Sequence, residues 1–210
     1  MRISAHAALE VQGRQPLLMA LVSRPCVKQS IAGCFQSHIH GCAMVVVTKA
    51  LTLANFHEAG ALIAEMGQWD VAQCGVHGLP SEDVISAYYS DDAASLLEKC
   101  TSPSKGMYLA RAGSVALGCV GYVSHGDVAE IIKLFVRPEE RGKGVGARLL
   151  ATALDAIEQS RCQKVNLVTV SFMTNAITLY RQFGFQECEP FEPAPKGLEE
   201  ATRYMERVIK

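Results

Sequence analysis

The 210-residue chain has no run of 18 apolar residues, so no segment reads as a membrane span. It has no charge surplus either. Its 20 Lys and Arg against 21 Asp and Glu leave a formal net charge of −1, which gives no reason to expect nucleic acid beyond a localised basic patch at the glycine loop from Arg141 to Gly146. Its eight cysteines form no framework, and the apolar run from Leu17 to Val22 is too short and too far inside the chain for an export signal. Reduced thiols and a cytoplasmic home are therefore expected. Cys100, Cys119 and Cys162 stand among apolar residues and read as small buried hydrophobes. Cys26, Cys34, His38, His40 and Cys42 invite a zinc reading, but their spacing matches no metal motif, and no metal is expected. Repeats and low-complexity tracts are absent.

Residues 1–43 hold four basic residues (Arg2, Arg14, Arg24, Lys28), one acid (Glu10) and little periodicity. They are expected to be a disordered leader or an extension from an upstream start, with one domain over residues 44–210, a length that can bury a proper core.

The most informative stretch is Arg141-Gly142-Lys143-Gly144-Val145-Gly146. Ala129 to Val136 leads into it as a strand, and a helix leads out from Val145. Alternating glycines let the backbone turn sharply and present unshielded N–H groups. Those groups, the open end of the helix and two cationic side chains suit phosphate oxygens, and a pyrophosphate is expected. Lys143 is followed by Gly144 rather than Ser or Thr, against a magnesium-holding Walker loop. Gly146 comes two places after Gly144 rather than three, against a Rossmann fingerprint.

The order around the loop is regular. Val145, Leu149, Leu150, Ala153, Leu154 and Ile157 recur at helical spacing, with Arg161 and Lys164 near the helix end. Lys164 to Thr169 reads as a buried strand. Thr174 to Phe183 reads as a second helix closed by Gly184, and Phe185 to Glu189 as a further strand. That order predicts a right-handed crossover unit with parallel strands. Upstream, Met44 to Thr48 reads as a strand, followed by an amphipathic helix carrying Phe56, Ala59, Leu62, Ile63 and Met66, and by a short helix over Ala93 to Cys100. Met107 to Ala112 and Val115 to Ser124 read as a hairpin turning at Gly113, and Ala201 to Val208 as an edge strand.

Glu130 to Pro138, the Arg-Gly-Lys-Gly-Val-Gly loop, and Asn175 to Tyr180 followed by Phe183-Gly184-Phe185 resemble the GCN5-related N-acetyltransferase (GNAT) superfamily. The likeness runs from about Met44 to the C-terminus and is strongest over residues 129–189. It implies an α/β fold with a mixed sheet whose central strands four and five splay apart around acetyl-CoA. It implies a cofactor pyrophosphate on Arg141, Gly142, Lys143, Gly144, Gly146 and Ala147, and a pantetheine arm along the main chain of Leu134, Phe135 and Val136. Asn175 matches a position that often contacts the cofactor, and Tyr180 the tyrosine that often protonates the departing thiolate.

The chemistry fits those roles. An alkyl amine has a pKa near ~10.4, so it must lose a proton before it can attack a thioester. Glu130, at the opening of strand four, is the candidate to accept that proton. Backbone N–H groups of strand four could polarise the acetyl carbonyl. Tyr180, expected with its phenol at the cofactor side of a helix start, would protonate the sulfur. Plainer readings stand beside each: Tyr180 as core, Glu130 as a solvent-facing strand residue, Arg141 and Lys143 as solubilising charges, Asn175 as a helix cap. Trp69, Tyr88 and Tyr89 either line an acceptor pocket or pack inside.

The expected function is transfer of the acetyl group of acetyl-CoA directly to a primary amine of a small molecule or amino acid, with no metal. Protein N-terminal or lysine acetylation and a non-catalytic acyl-CoA sensor are the alternatives. A homodimer through the C-terminal strands is the partner expectation, and Glu189 to Glu200 is expected to wall the acceptor pocket.

Overall fold

Among the described residues seven strands form one mixed sheet, and its single parallel pair lies at the centre. The computed structural model describes residues 44–80, 93–100 and 104–209. Residues 1–43, with the zinc candidates, and Tyr88 and Tyr89 lie outside the described residues.

Strand β1 (Val45–Lys49) leads to helix α1 (Leu53–Val76). Thr52 and Asn55 start that helix reciprocally: Asn55 N–H donates to Thr52 Oγ1 at 3.3 Å, and Thr52 N–H to Asn55 Oδ1 at 3.3 Å. Helix α2 (Ala93–Cys100) follows. Strands β2 (Lys105–Ala112) and β3 (Val115–His125) make the expected hairpin, and β4 (Val128–Val136) pairs antiparallel with β3. A short 3₁₀ turn, Pro138–Glu140, leads through the glycine loop into α3 (Val145–Glu158). Then come β5 (Lys164–Val170), α4 (Thr174–Gln182), β6 (Gln186–Glu187) and β7 (Thr202–Val208).

Each face of the sheet has its own apolar core. On one, Phe56, Ala59, Leu62, Ile63 and Met66 of α1 meet Leu96 and Cys100 of α2 over Met107, Leu109, Cys119 and Phe135. On the other, Leu149, Leu150, Ala153 and Ile157 of α3 and Tyr180 of α4 cover Ile131, Leu134, Leu167 and Met205. The 3.6-residue spacing of both helices thus predicted which side chains are buried. Cys100, Cys119 and Cys162 are buried free thiols, as expected.

Two topological expectations need correction. The C-terminal strand is not an edge. The order is β1-β2-β3-β4-β5-β7-β6, and β7 pairs with the whole of β5, from Lys164↔Val208 to Val170↔Thr202. The strand expected over Phe185 to Glu189 shrinks to the exposed pair Gln186–Glu187, because Pro190, Pro193 and Pro195 cannot extend a ladder. The crossover unit is therefore parallel only at β4–β5, with β7 between β5 and β6. In addition, α3 ends at Glu158 with no basic residue in its last turn. Lys164 lies instead in β5 and pairs with Glu206 at 3.0 Å. No helix among the described residues is long and apolar enough to cross a membrane.

Candidate active site

The central strands separate beside a deformed stretch of β4. Between Gly121↔Ile132 and Cys119↔Phe135, β3 advances two residues while β4 advances three, so β4 carries one extra residue. Lys133 takes it up at φ 55°, the only non-glycine among the described residues with positive φ. Cys119 lies beneath, its thiol donating to Lys133 O at 3.5 Å and pushed up to about 12 by burial, so it stays protonated. Parallel pairing of β4 with β5 then covers only Val128↔Lys164, Ala129↔Val165 and Glu130↔Asn166. Beyond Glu130 the strands diverge, and the main chain of β4 facing β5 is out of that ladder. Glu130 stands where the strands part.

The open end of this splay is fixed from both sides. Arg137 forks onto Glu65 of α1 (Nε to Oε2 2.9 Å, Nη2 to Oε1 2.7 Å) and donates to Ala116 O at 2.8 Å. Paired hydrogen bonds to one carboxylate fix orientation as well as distance. They raise the Arg137 guanidinium above its ordinary value. Arg141 is 6% exposed, donates from Nε to Val136 O at 2.9 Å and lies 4.6 Å from the Trp69 ring centroid. Its side chain is therefore built into the end of β4, and the Val136 carbonyl is engaged by it. Trp69 has the plainer of its two expected fates, partly buried against both cores.

Past Arg141 the loop behaves as its glycines predict. Gly142 and Gly144 have φ of 74° and 79°, and Gly144 is the N-cap of α3 with no side chain capping the helix. The first N–H groups of a helix have no partner within it, and they carry the positive end of its dipole. The first helical bond here is Arg148 N–H to Gly144 O, 3.1 Å. A cleft of about 260 Å³ opens at this end, lined by Arg141, Gly142, Gly144, Gly146, Ala147 and Asn175. Lys143 stays at the surface, paired with Glu140 at 3.1 Å. The cleft thus brings together the expected loop residues apart from Lys143, and Leu134, Phe135 and Val136 are buried in the strand leading to it.

Helix α4 forms the facing wall. Asn175 is exposed and one residue inside the helix, whose cap position belongs to Met173, so the capping reading does not hold. Thr178, Leu179 and Gln182 also line the cleft and were not singled out from the sequence. Their signal was available: they lie three, four and seven residues after Asn175, on one helical face.

Tyr180 is in the last turn of α4, not at a helix start. It is fully buried in the core that holds Leu134 and Leu167, one from each diverging strand, with its ring 5.9 Å from Phe185 in an edge-on contact. Its hydroxyl is buried and has no hydrogen-bond partner. Burial pushes its pKa well above that of an ordinary tyrosine, so the phenol is neutral at physiological pH. An unsatisfied buried hydroxyl costs roughly 1–3 kcal/mol. A protonated donor held there suits a polar or sulfur atom entering the splay.

The other flank is built from the β6–β7 connection. Gly197 lies so close to Pro80, just past α1, that a Cβ would meet Pro80 Cγ at 2.6 Å. His77 at the end of α1 stacks on Phe172, centroids 4.4 Å apart. Between them is a cleft of about 540 Å³ lined by His77, Phe172, Glu199 and Glu200, among others. Nearby in the same connection, burial pushes Glu192 up to about 7, and its main-chain carbonyl accepts from the Tyr204 hydroxyl at 2.8 Å.

A mixed sheet splayed at its one parallel pair among the described residues, with an uncapped helix end beyond it, is an arrangement that can hold an extended ligand between two strands and its anionic end at the helix. Comparison with known proteins agrees. The family described as Acetyltransferase (GNAT) matches residues 74–185. An uncharacterized N-acetyltransferase of Schizosaccharomyces pombe is 32% identical over 116 residues, 54% of this chain and 71% of that protein. An IAA acetyltransferase of Azospirillum brasilense is 28% identical over 115 residues, 54% of this chain and 74% of that one. The fold matches the PaiA N-acetyltransferase of Thermoplasma acidophilum, solved with coenzyme A, at a TM-score of 0.63 and 18% identity, over 79% of this chain and 99% of that one. The chain belongs to the GNAT acetyltransferase family and is an acetyl-CoA-dependent N-acetyltransferase.

Proposed function

We propose that this acetyltransferase acts on the primary amine of a small molecule. The acetyl-CoA pyrophosphate rests on the N–H groups of the loop from Gly142 through Ala147, and Asn175 contacts the cofactor from α4. Arg141 contributes by holding the loop against Val136 and Trp69, and Lys143 by a positive charge at the rim. The pantetheine arm runs along Leu134, Phe135 and Val136 in the splay, which directs the thioester toward Glu130.

The amine nitrogen then bonds to the acetyl carbon while main-chain N–H groups of β4 receive the developing oxyanion. Glu130 takes the proton the amine sheds, through water. As the carbon–sulfur bond breaks, Tyr180 gives its proton to the sulfur. The single observation that carries this reading is the end of the β4–β5 ladder at Glu130↔Asn166, with an uncapped helix N-terminus beyond it. A small acceptor is favoured by the acceptor flank, a cleft of about 540 Å³ closed on one side by the contact of Gly197 with Pro80.

The test is purified protein with acetyl-CoA, a panel of small amines and a panel of peptides, followed by release of free thiol and by product mass. Small amines are expected to gain one acetyl group each. Acetylation of peptides alone would replace the small-molecule reading with a protein acceptor. Cofactor binding without thiol release from any amine would leave a sensor.

A further inference from the structure

The ladders set a row of side chains across the sheet at the closed end of the splay: Val123 opposite Glu130, Glu130 opposite Asn166, Asn166 opposite Glu206, and Glu206 opposite Gln186. Directly opposed residues share one face of a sheet, and their sequence neighbours occupy the other. Those neighbours, Ala129, Ile131, Val165, Leu167 and Met205, all belong to the core beneath α3 and α4. The polar row therefore faces the side away from those helices. Tyr204, two residues before Glu206 and on the same face, is covered by Phe191 of the β6–β7 connection, ring centroids 5.2 Å apart.

Asn166 stands out in this row. It is 6% exposed, and its Oδ1 is buried with no hydrogen-bond partner. Glu206 on one side is engaged by Lys164 Nζ at 3.0 Å. On the other side is Glu130, whose Oε1 is also buried. Native folds rarely leave a buried amide oxygen unsatisfied without a reason. That oxygen only accepts, so its complement is a hydrogen-bond donor, N–H or O–H, and a carboxylate as next neighbour favours one that carries positive charge, an ammonium N–H.

We infer that Asn166 Oδ1 binds the nitrogen of the acceptor, a primary alkylamine arriving as its ammonium ion, at the last rung before β4 and β5 part. The inference rests on the proposed acetyl transfer and adds the residue that receives the amine. With one N–H held by Asn166, a second proton is lost toward Glu130 through water, and rotation about the Asn166 hydrogen bond turns the lone pair so freed to the thioester. The last proton, shed once nitrogen has bonded to carbon, replaces the one Tyr180 gives to sulfur. The anionic end of the cofactor is bound at the opposite, open end of the splay, so the two ligands meet along β4.

The experiment uses the full chain, ¹⁵N-labelled and saturated with CoA, with n-butylamine as probe and butyrate as a control of equal length. The Asn166 side-chain amide is the NH₂ pair lost in Asn166→Leu, or in Asn166→Ala should that variant fail to fold. That pair is expected to shift saturably with butylamine and to stay still with butyrate. Asn166→Leu is expected to keep its melting temperature and CoA affinity while its kcat/KM for butylamine falls about tenfold, the weight of one lost hydrogen bond to a charged partner. Asn166→Asp, which keeps an oxygen in place, is expected to recover part of that loss. An Asn166 pair unmoved by millimolar butylamine in CoA-loaded protein overturns the inference. Failure of CoA itself to bind would instead overturn the proposed function.

Discussion

The two flanks of β4 bind by different means. Toward α3 the proposed contacts are main chain: amides of β4 beyond the end of its ladder, amides at an uncapped helix end, and glycines that keep them uncovered. On the acceptor side they are side chains, Glu130 and Asn166, with Glu199 and Glu200 of the β6–β7 connection lining the cleft beyond. A main-chain site depends on backbone conformation and tolerates exchange of exposed side chains. A side-chain site can change its ligand by single substitutions on an unchanged frame, so one cofactor half can serve many acceptors.

Substitutions on each flank can break or sharpen this comparison. The largest effect is expected at Tyr180, which belongs to neither flank. Tyr180→Phe removes only a buried hydroxyl without a partner, so stability should hold or rise by up to roughly 3 kcal/mol. Turnover should fall about a hundredfold, the lower range for loss of a general acid. Steady-state rates and thermal melts check both, and an unchanged rate removes Tyr180 from the mechanism.

Next comes Gly144→Val on the cofactor flank. A Cβ there meets nothing within 4 Å, so the penalty is conformational: φ is 79°, where a branched side chain costs roughly 1–2 kcal/mol. The acetyl-CoA dissociation constant should rise about tenfold by calorimetry if that strain falls on the binding loop. Lys143→Ala, at an exposed side chain already paired with Glu140, should change it by less than about threefold.

Gly197→Ala tests the acceptor flank. Its Cβ would collide with Pro80, and the backbone has φ of 80°. Separation of the connection from α1 should raise the KM for amine several-fold and leave that for acetyl-CoA unmoved. Equal changes in both would mean that the flanks are not separate sites.

The smallest effect concerns pH. Glu192 has its carboxyl raised from 4.5 to about 7 by burial. The raised value means the fold favours the protonated acid. The stabilisation is full below about pH 4.5 and is lost as pH rises through about 7. Glu192→Gln should flatten this component of the melting temperature between those values, and an identical slope in the variant would show that Glu192 does not titrate there.

The same division explains what could be read without coordinates. The strand, glycine loop, helix, strand and helix around Gly144 were legible because alternation, helical spacing and glycine punctuation are local. The bulge was not, since nothing marks a lysine for φ of 55°. The insertion of β7 between β5 and β6 was not, because periodicity gives strands but not their order in a sheet. Arg141 was legible only in part: a cation inside a glycine loop reads as a phosphate ligand, and nothing local announces that its guanidinium is also held by Val136 O and Trp69. Asn166 gave no signal, being one polar residue in the apolar strand Lys164–Val170, whose meaning depends on its opposite number in β4.

Calorimetric titration of the protein with CoA at two temperatures tests the central claim most directly. Binding to one site per chain is predicted, with the affinity lowered in Gly144→Val and retained in Lys143→Ala. Folded protein that gives no heat with CoA at either temperature would contradict it.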